Sequence, residues 1–137
     1  MEKLTIIRKY TYIIEKFEKV KKYYENYQKE KDVDTKDMIY SALQRVVEEV
    51  LESSIKLNIY ILKEKGKFPK SYKESFELLK NELNFDEEKI NTLASFAKFR
   101  NILAHEYHDI TPEMTISKIK EIIEILPEYL KKLKEIL

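Results

Sequence analysis

The most reactive side chains of the sequence lie together in residues 100–107. A guanidinium, an amide, an imidazole and a phenol, carried by Arg100, Asn101, His105 and Tyr107, fall there within about two turns of a helix. The chain has only two histidines, and the second, His108, follows this segment directly. With no cysteine and one glycine in 137 residues, few other stretches offer comparable chemistry.

These residue types suit the cleavage of an RNA phosphodiester without a metal. The planar fork of Arg100 can bind a phosphate and stabilise charge that develops on it. An imidazole such as that of His105 can take a proton from a 2′-hydroxyl or return one to the leaving oxygen. Asn101 can orient the imidazole or contact a phosphate oxygen, and Tyr107 can bind the substrate by stacking or hydrogen bonding.

A structural explanation of the same residues stays open. An arginine and a histidine near a helix end commonly interact with the last carbonyls and the helix dipole, and Tyr107 can be a half-buried amphipathic side chain. A metal site is disfavoured, because the two histidines lack the i, i+4 spacing of the HExxH motif and no third ligand is nearby. Spacing alone therefore leaves a catalytic site, a phosphate-binding module and a plain helix end as alternatives.

The placement of these residues on a helix favours a dimer. Positions 101, 105 and 108 fall on one stripe, and positions 100, 104 and 107 fall on the adjacent one. Arg100 and His105 therefore do not face each other directly. A two-fold dimer that apposes two copies of this helix would place both pairs around one cleft. We therefore expect a homodimer.

Hydrophobic spacing predicts the elements that must position this segment. Apolar residues at alternating intervals of four and three predict a first helix, and the polar run over residues 28–36 predicts a loop. A second helix is expected over residues 36–65, with Asp34 or Thr35 as its cap.

Local signals place the next two helices. Gly66 suits a left-handed cap that ends the second helix. Ser71 and Glu74 form a capping-box pattern that opens a short third helix. Asn84 or Asp86 is expected to start the fourth helix, which carries the reactive segment.

The last helix is expected to begin at Thr111 and Pro112, a cap followed by a proline at the first helical position. Pro127 should kink or split it. Because the connections are short, the long first, second and last helices should pack roughly antiparallel. The sequence thus predicts an all-α antiparallel bundle of about five helices, in a single domain over residues 1–137.

Composition restricts the class of protein. The net charge is +1, so any phosphate site must be a local patch rather than a strongly basic surface. The absence of cysteine excludes disulfides and thiolate nucleophiles. Charges interrupt every apolar segment and no signal peptide is recognisable, so we expect a cytoplasmic protein that is not bound to a membrane.

Residues 100–107 resemble the signature of HepT-type toxins of the HEPN superfamily, which is an arginine, four residues, a histidine, one residue and a tyrosine. Residues 42–49 are similar to the second-helix segment of that family, and residues 71–79 to its third. Order and spacing match from about residue 41 to residue 112.

The resemblance implies a HEPN-like fold and a metal-independent, cofactor-free ribonuclease toxin of a type VII-like toxin–antitoxin pair. Such a toxin acts on RNA as a homodimer, and no DNA partner is expected. Arg100 and His105 would be catalytic, and Asn101 would support them. An MntA-type nucleotidyltransferase antitoxin would neutralise the toxin by transferring AMP from ATP to Tyr107. The alternative is a non-catalytic helical module that contacts a nucleotidyltransferase or a nucleotide phosphate.

Overall fold

The computed structural model describes residues 2–105 and 110–137, and all regular structure within these ranges is helical. The six helices are α1 (Glu2–Lys29), α2 (Val33–Glu64), α3 (Tyr72–Glu77), α4 (Lys80–Leu83), α5 (Glu87–His105) and α6 (Pro112–Ile136). The all-α prediction is therefore confirmed. The sequence predicted about five helices, and the additional one in the described ranges is the four-residue α4. In the described ranges no helix is both long and apolar enough to cross a membrane. The single domain over residues 1–137 stays a prediction.

The helices α1 and α2 form an antiparallel hairpin. Tyr27, near the end of α1, packs its ring 5.8 Å from that of Tyr40, near the start of α2. The hydroxyl of Tyr12, in the first half of α1, donates to the carboxylate of Glu49, which lies further along α2. The predicted length of the loop, residues 28–36, is wrong, because only residues 30–32 separate the two helices. Polar residues can continue both helices there, since these ends are largely exposed and need no apolar stripe.

Asp32, rather than the predicted Asp34 or Thr35, caps the start of α2. The Asp32 carboxylate accepts the Thr35 backbone N–H at 3.0 Å and the Thr35 hydroxyl at 2.8 Å. Both hydrogen bonds favour the ionised carboxylate and lower the pKa of Asp32. The cap extends α2 by three residues relative to its expected start at residue 36.

Three other predicted helix boundaries are confirmed. Gly66 follows α2 with a left-handed φ of 73°. The Ser71 hydroxyl accepts the N–H three residues later at 3.1 Å and so caps α3. The Asp86 carboxylate does the same before α5, at 2.8 Å. Asn84 does not start α5, because its φ of 54° places it in the left-handed region, where it ends α4.

The long helix α6 begins as predicted and continues past its internal proline. The Thr111 hydroxyl accepts the N–H three residues later at 3.2 Å, and Pro112 is the first helical residue. Pro127 was predicted to kink or split α6. It lies inside the continuous helix, so the split is wrong, and the kink stays a prediction. Leu126 and Leu130 on either side of Pro127 are buried in the core, and this packing keeps the helix continuous across the missing backbone N–H.

The helix α6 also lies antiparallel to α1, as expected. The Tyr10 hydroxyl, in the first half of α1, donates to the Leu130 carbonyl near the end of α6 at 2.9 Å. At the opposite end, Tyr27 of α1 and Glu113 of α6 line one surface pocket. The hairpin and α6 thereby enclose one side of the core.

A buried polar network joins α2, α3 and α6. The hydroxyl of the fully buried Tyr129 donates to the side-chain oxygen of Asn58. The Asn58 amide in turn donates to the Ser75 hydroxyl at 3.5 Å. Burial raises the pKa of Tyr129 well above its usual range, so this hydroxyl remains a donor. The network fixes α3 against α2, on the side where α5 also packs.

Candidate active site

Arg100, Asn101 and His105 lie in the last two turns of α5, which ends at His105. Buried apolar residues in the preceding turns hold this helix against the core; they are Ile90, Leu93, Ala94, Phe96, Ala97 and Phe99. Arg100 and Asn101 are partly buried, whereas His105 is exposed at the end of the helix. The anchored part of α5 therefore leads to a partly buried Arg100 and an exposed His105.

The structure brings two of the predicted site residues into direct contact. Arg100 Nη1 donates to Asn101 Oδ1 at 3.3 Å. Side chains at adjacent helix positions do not normally face each other, and the sequence grouped Asn101 with His105 rather than with Arg100. In the structure, the Asn101 side chain therefore orients the guanidinium of Arg100.

A carboxylate from α2 also holds Arg100. Arg100 Nη2 lies 3.4 Å from Glu52 Oε1. Lys56 Nζ lies 3.4 Å from the same oxygen. Glu52 is therefore shared between two cations, one of them in the predicted site and the other one helical turn along α2.

The face of the guanidinium is covered by an aromatic ring from α3. Arg100 Cζ lies 5.5 Å from the centre of the Tyr72 ring, which is within the range of a cation–π interaction. The Arg100 side chain is only 15% exposed, whereas Tyr72 is 41% exposed. The guanidinium therefore has little conformational freedom. Its edge contacts Asn101 and Glu52, and its face contacts the Tyr72 ring.

Arg100 has five N–H donors, and its contacts with Asn101 and Glu52 engage one on Nη1 and one on Nη2. Its Nε atom is buried and has no acceptor within the part of the chain that the structure describes. A buried donor without an acceptor costs about 1–3 kcal/mol. The second N–H groups of Nη1 and Nη2, rather than the buried Nε, can bind a further acceptor such as a phosphate oxygen.

The sequence did not identify Glu52 or Tyr72 as site residues. The i, i+4 spacing of Glu52 and Lys56 is visible in the sequence, as is the position of Tyr72 directly after a helix cap. Neither signal points to Arg100, because the contacts join three different helices. Only the packing of α2, α3 and α5 brings these side chains together.

A surface groove of about 550 Å³ lies beside the C-terminal end of α5. It is bounded by α2, by α5 and by the start of α6. Its lining residues include Tyr40, Gln44, Arg45 and Glu48 from α2, Ile102 and Leu103 from α5, and Ile110. Because apolar side chains of α5 face polar ones of α2, the groove can accept either a polar ligand or another protein chain.

Two of the residues singled out in the sequence lie outside the described residues. These are Tyr107, the expected site of AMP transfer, and His108. Among the described residues, no three His, Cys, Asp or Glu side chains are grouped so that they could hold a metal ion.

Most of the chain matches a known family of proteins. A family model described as Ribonuclease HepT-like matches residues 13–133. The match includes α2 to α5 and therefore Glu52, Tyr72, Arg100 and His105. A search of curated proteins found no match.

Proposed function

Because the chain belongs to the HepT-like ribonuclease family, we propose that it is a metal-independent endoribonuclease toxin that cleaves RNA with Arg100 and His105. One observation supports the assignment of the catalytic roles to Arg100 and His105. Arg100 is fixed by Asn101, Glu52 and Tyr72 at the end of the helix that also carries His105. A preorganised cation lowers the free energy of a transition state that places extra charge on phosphate.

The reaction follows from the roles of the two residues. The 2′-oxygen bonds to phosphorus while the bond from phosphorus to the 5′-oxygen breaks, leaving a 2′,3′-cyclic phosphate and a 5′-hydroxyl. An imidazole takes the proton of the 2′-hydroxyl, and the leaving 5′-oxygen receives a proton. Arg100 stabilises the charge on the non-bridging phosphate oxygens.

The active form in this proposal is a homodimer. His105 lies five positions after Arg100 and on another stripe of α5, so a second copy of α5 can complete the site with its own imidazole. The groove beside Leu103 is a surface on which that copy can pack. Two imidazoles in one cleft would allow one to act as the base and the other as the acid.

Control by a nucleotidyltransferase antitoxin of the MntA type is the regulatory part of the proposal. The Tyr107 oxygen bonds to the α-phosphorus of ATP, and pyrophosphate leaves with the β- and γ-phosphates. The phosphodiester that results offers Arg100 a competing ligand in the cleft. Intact-mass analysis of the protein, incubated with ATP and such an enzyme, should show an AMP-sized increment that maps to Tyr107. The increment should be absent from the Tyr107→Phe variant, and an increment that persists there would contradict the proposed site.

A non-catalytic binding module is the second candidate. It is favoured by the ion pair of Arg100 with Glu52, because a guanidinium that is already partly neutralised is a weaker catalyst. Such a module would bind a nucleotide phosphate or a nucleotidyltransferase without turnover.

The decisive experiment measures RNA cleavage by the purified, unmodified protein in EDTA. We expect cleavage that leaves cyclic phosphate ends, is lost in Arg100→Ala and His105→Ala, and fails on a substrate with a 2′-deoxy sugar at the cleavage site. The matched control is Lys98→Ala, which removes an exposed cation from the same helix. Cleavage that survives in both Arg100→Ala and His105→Ala would refute the assignment. Stable binding of AMP or of a nucleotidyltransferase, with no RNA cleavage, would identify the binding module.

A further inference from the structure

A basic pocket, separate from the groove at the end of α5, lies between α1 and α2. It has a volume of about 280 Å³ and is lined by Arg8, Lys9, Tyr12, Ser53 and Lys56. Three of these five side chains are cations, and the other two, Tyr12 and Ser53, carry hydroxyls. The Tyr12 hydroxyl already donates to Glu49, so Ser53 has the hydroxyl that can donate to a ligand. We call these five residues the α1–α2 pocket.

The carboxylates around the α1–α2 pocket are already engaged. Glu49 accepts the Tyr12 hydroxyl at 3.1 Å and pairs with Lys16 at 3.3 Å. Glu52 pairs with both Lys56 and Arg100. Neither of these two carboxylates forms an ion pair with the α1 cations of the pocket.

The two cations of α1 are free of ion pairs within the described part of the chain. Arg8 is exposed. Lys9 Nζ lies 5.8 Å from the centre of the Tyr60 ring, a contact that orients the ammonium group without cancelling its charge. Arg8 and Lys9 thus give the pocket an excess of positive charge in a protein with a net charge of only +1.

The α1–α2 pocket is connected to Arg100 through Glu52. Lys56 Nζ and Arg100 Nη2 each lie 3.4 Å from Glu52 Oε1, so the two nitrogens are less than about 7 Å apart. The cations of α5 and α2 thus lie on either side of one carboxylate, and the pocket continues from Lys56 to α1. This separation lies within the span of one nucleotide, so a strand bound at Arg100 can place a neighbouring phosphate at Lys56.

We infer that the α1–α2 pocket binds a backbone phosphate of single-stranded RNA next to the cleaved bond. The inference rests on the proposed ribonuclease function and adds a substrate-binding subsite to it. The Arg8 guanidinium binds the phosphate through its paired donors, Lys9 and Lys56 contribute charge, and Ser53 donates a hydrogen bond. These contacts recognise the backbone and not the base, so they set affinity and the position of the strand rather than sequence preference.

The test measures RNA binding separately from cleavage. Fluorescence anisotropy with a labelled single-stranded RNA compares two proteins over a range of salt concentrations. The first carries His105→Ala, and the second carries Arg8→Gln and Lys9→Gln in addition. We expect the added changes to weaken binding roughly five- to tenfold. The slope of log affinity against log salt concentration should become shallower by about 0.7 for each phosphate that the protein no longer neutralises.

Two controls separate the subsite from a general effect of charge. Lys19→Gln with Lys22→Gln removes two exposed charges from the same helix, at least about 15 Å along it, and should change binding much less. Arg8→Lys keeps the charge and should retain most of the salt dependence. Circular dichroism melting curves confirm that each variant is folded.

Each result has a defined meaning. Equal losses in the Arg8/Lys9 and Lys19/Lys22 variants, or no loss in the former, would refute the subsite while leaving the ribonuclease function intact. Direct binding of AMP or inorganic phosphate at micromolar concentration, lost in Arg8→Gln with Lys9→Gln while RNA binding is unchanged, would identify a nucleotide site and also refute the inference. Failure of His105→Ala itself to bind RNA would count against the proposed function as well.

Discussion

Tyr72 should position Arg100 through the face of its ring. The ring centre lies 5.5 Å from Arg100 Cζ, and the Arg100 side chain is only 15% exposed. A cation–π contact contributes about 0.5–1 kcal/mol at exposed sites and about 2 kcal/mol when it is desolvated. Because Tyr72 is itself 41% exposed, we expect a value of about 1 kcal/mol for this pair. Tyr72→Ala should therefore lower kcat/KM roughly fivefold.

Single-turnover cleavage of a short RNA, with the substrate concentration varied, measures this effect. The loss should lie mainly in kcat, because a misplaced guanidinium stabilises the transition state less well while other contacts still bind the strand. Tyr72→Phe should retain activity, since the contact uses the ring and not the hydroxyl.

Phe68→Ala is the matched control for Tyr72→Ala. It removes a more exposed ring, 68% accessible, from the segment just before α3 and should have little effect. Activity of Tyr72→Ala equal to that of the parent protein would refute the positioning role. An equal loss in Tyr72→Phe would also refute it, because the ring remains in that variant.

Three further predictions concern Glu52 and the buried network. Glu52→Gln should lower kcat and tighten RNA binding, because the carboxylate both orients and neutralises Arg100. Steady-state cleavage and anisotropy measure the two effects, and unchanged values would show that this ion pair has no role. Tyr129→Phe should reduce the free energy of unfolding by about 1–3 kcal/mol in urea titrations, since it leaves the buried Asn58 oxygen without its donor. The exposed pair of Tyr12 with Glu49 is the control, and an equal loss in Tyr12→Phe would contradict the argument. Tyr129 ionises near pH 10 in the unfolded chain but only at higher pH in the folded protein, so its stabilising effect is present below about pH 10 and decreases as the pH rises above it. Urea unfolding between about pH 9 and pH 11 should therefore show a steeper loss for the parent protein than for Tyr129→Phe.

Helix boundaries were predictable where one local interaction decides them. Ser71, Asp86 and Thr111 each cap a helix by accepting the N–H three residues later, and Gly66 ends α2 in a left-handed conformation. These signals require only neighbours in the sequence.

The errors arose where tertiary packing or exposure outweighed the apolar pattern. Polar residues between 28 and 36 continue α1 and α2, because largely exposed helix ends need no hydrophobic stripe. Pro127 remains inside α6, because the buried leucines on either side of it hold the helix on the core. The dimer, the catalytic roles of Arg100 and His105, and AMP transfer to Tyr107 stay predictions.

The sequence alone determined the all-α class and the presence of a guanidinium, an amide and an imidazole at the end of one helix. Helical periodicity and capping depend on residues within one or two turns of each other, so they can be recognised without knowledge of the fold. Only the tertiary structure placed Glu52 and Tyr72 around Arg100, and Arg8 and Lys9 opposite Lys56. Those placements depend on how α1, α2, α3 and α5 pack and in which register, and the energy that decides this comes from the whole core rather than from any local motif.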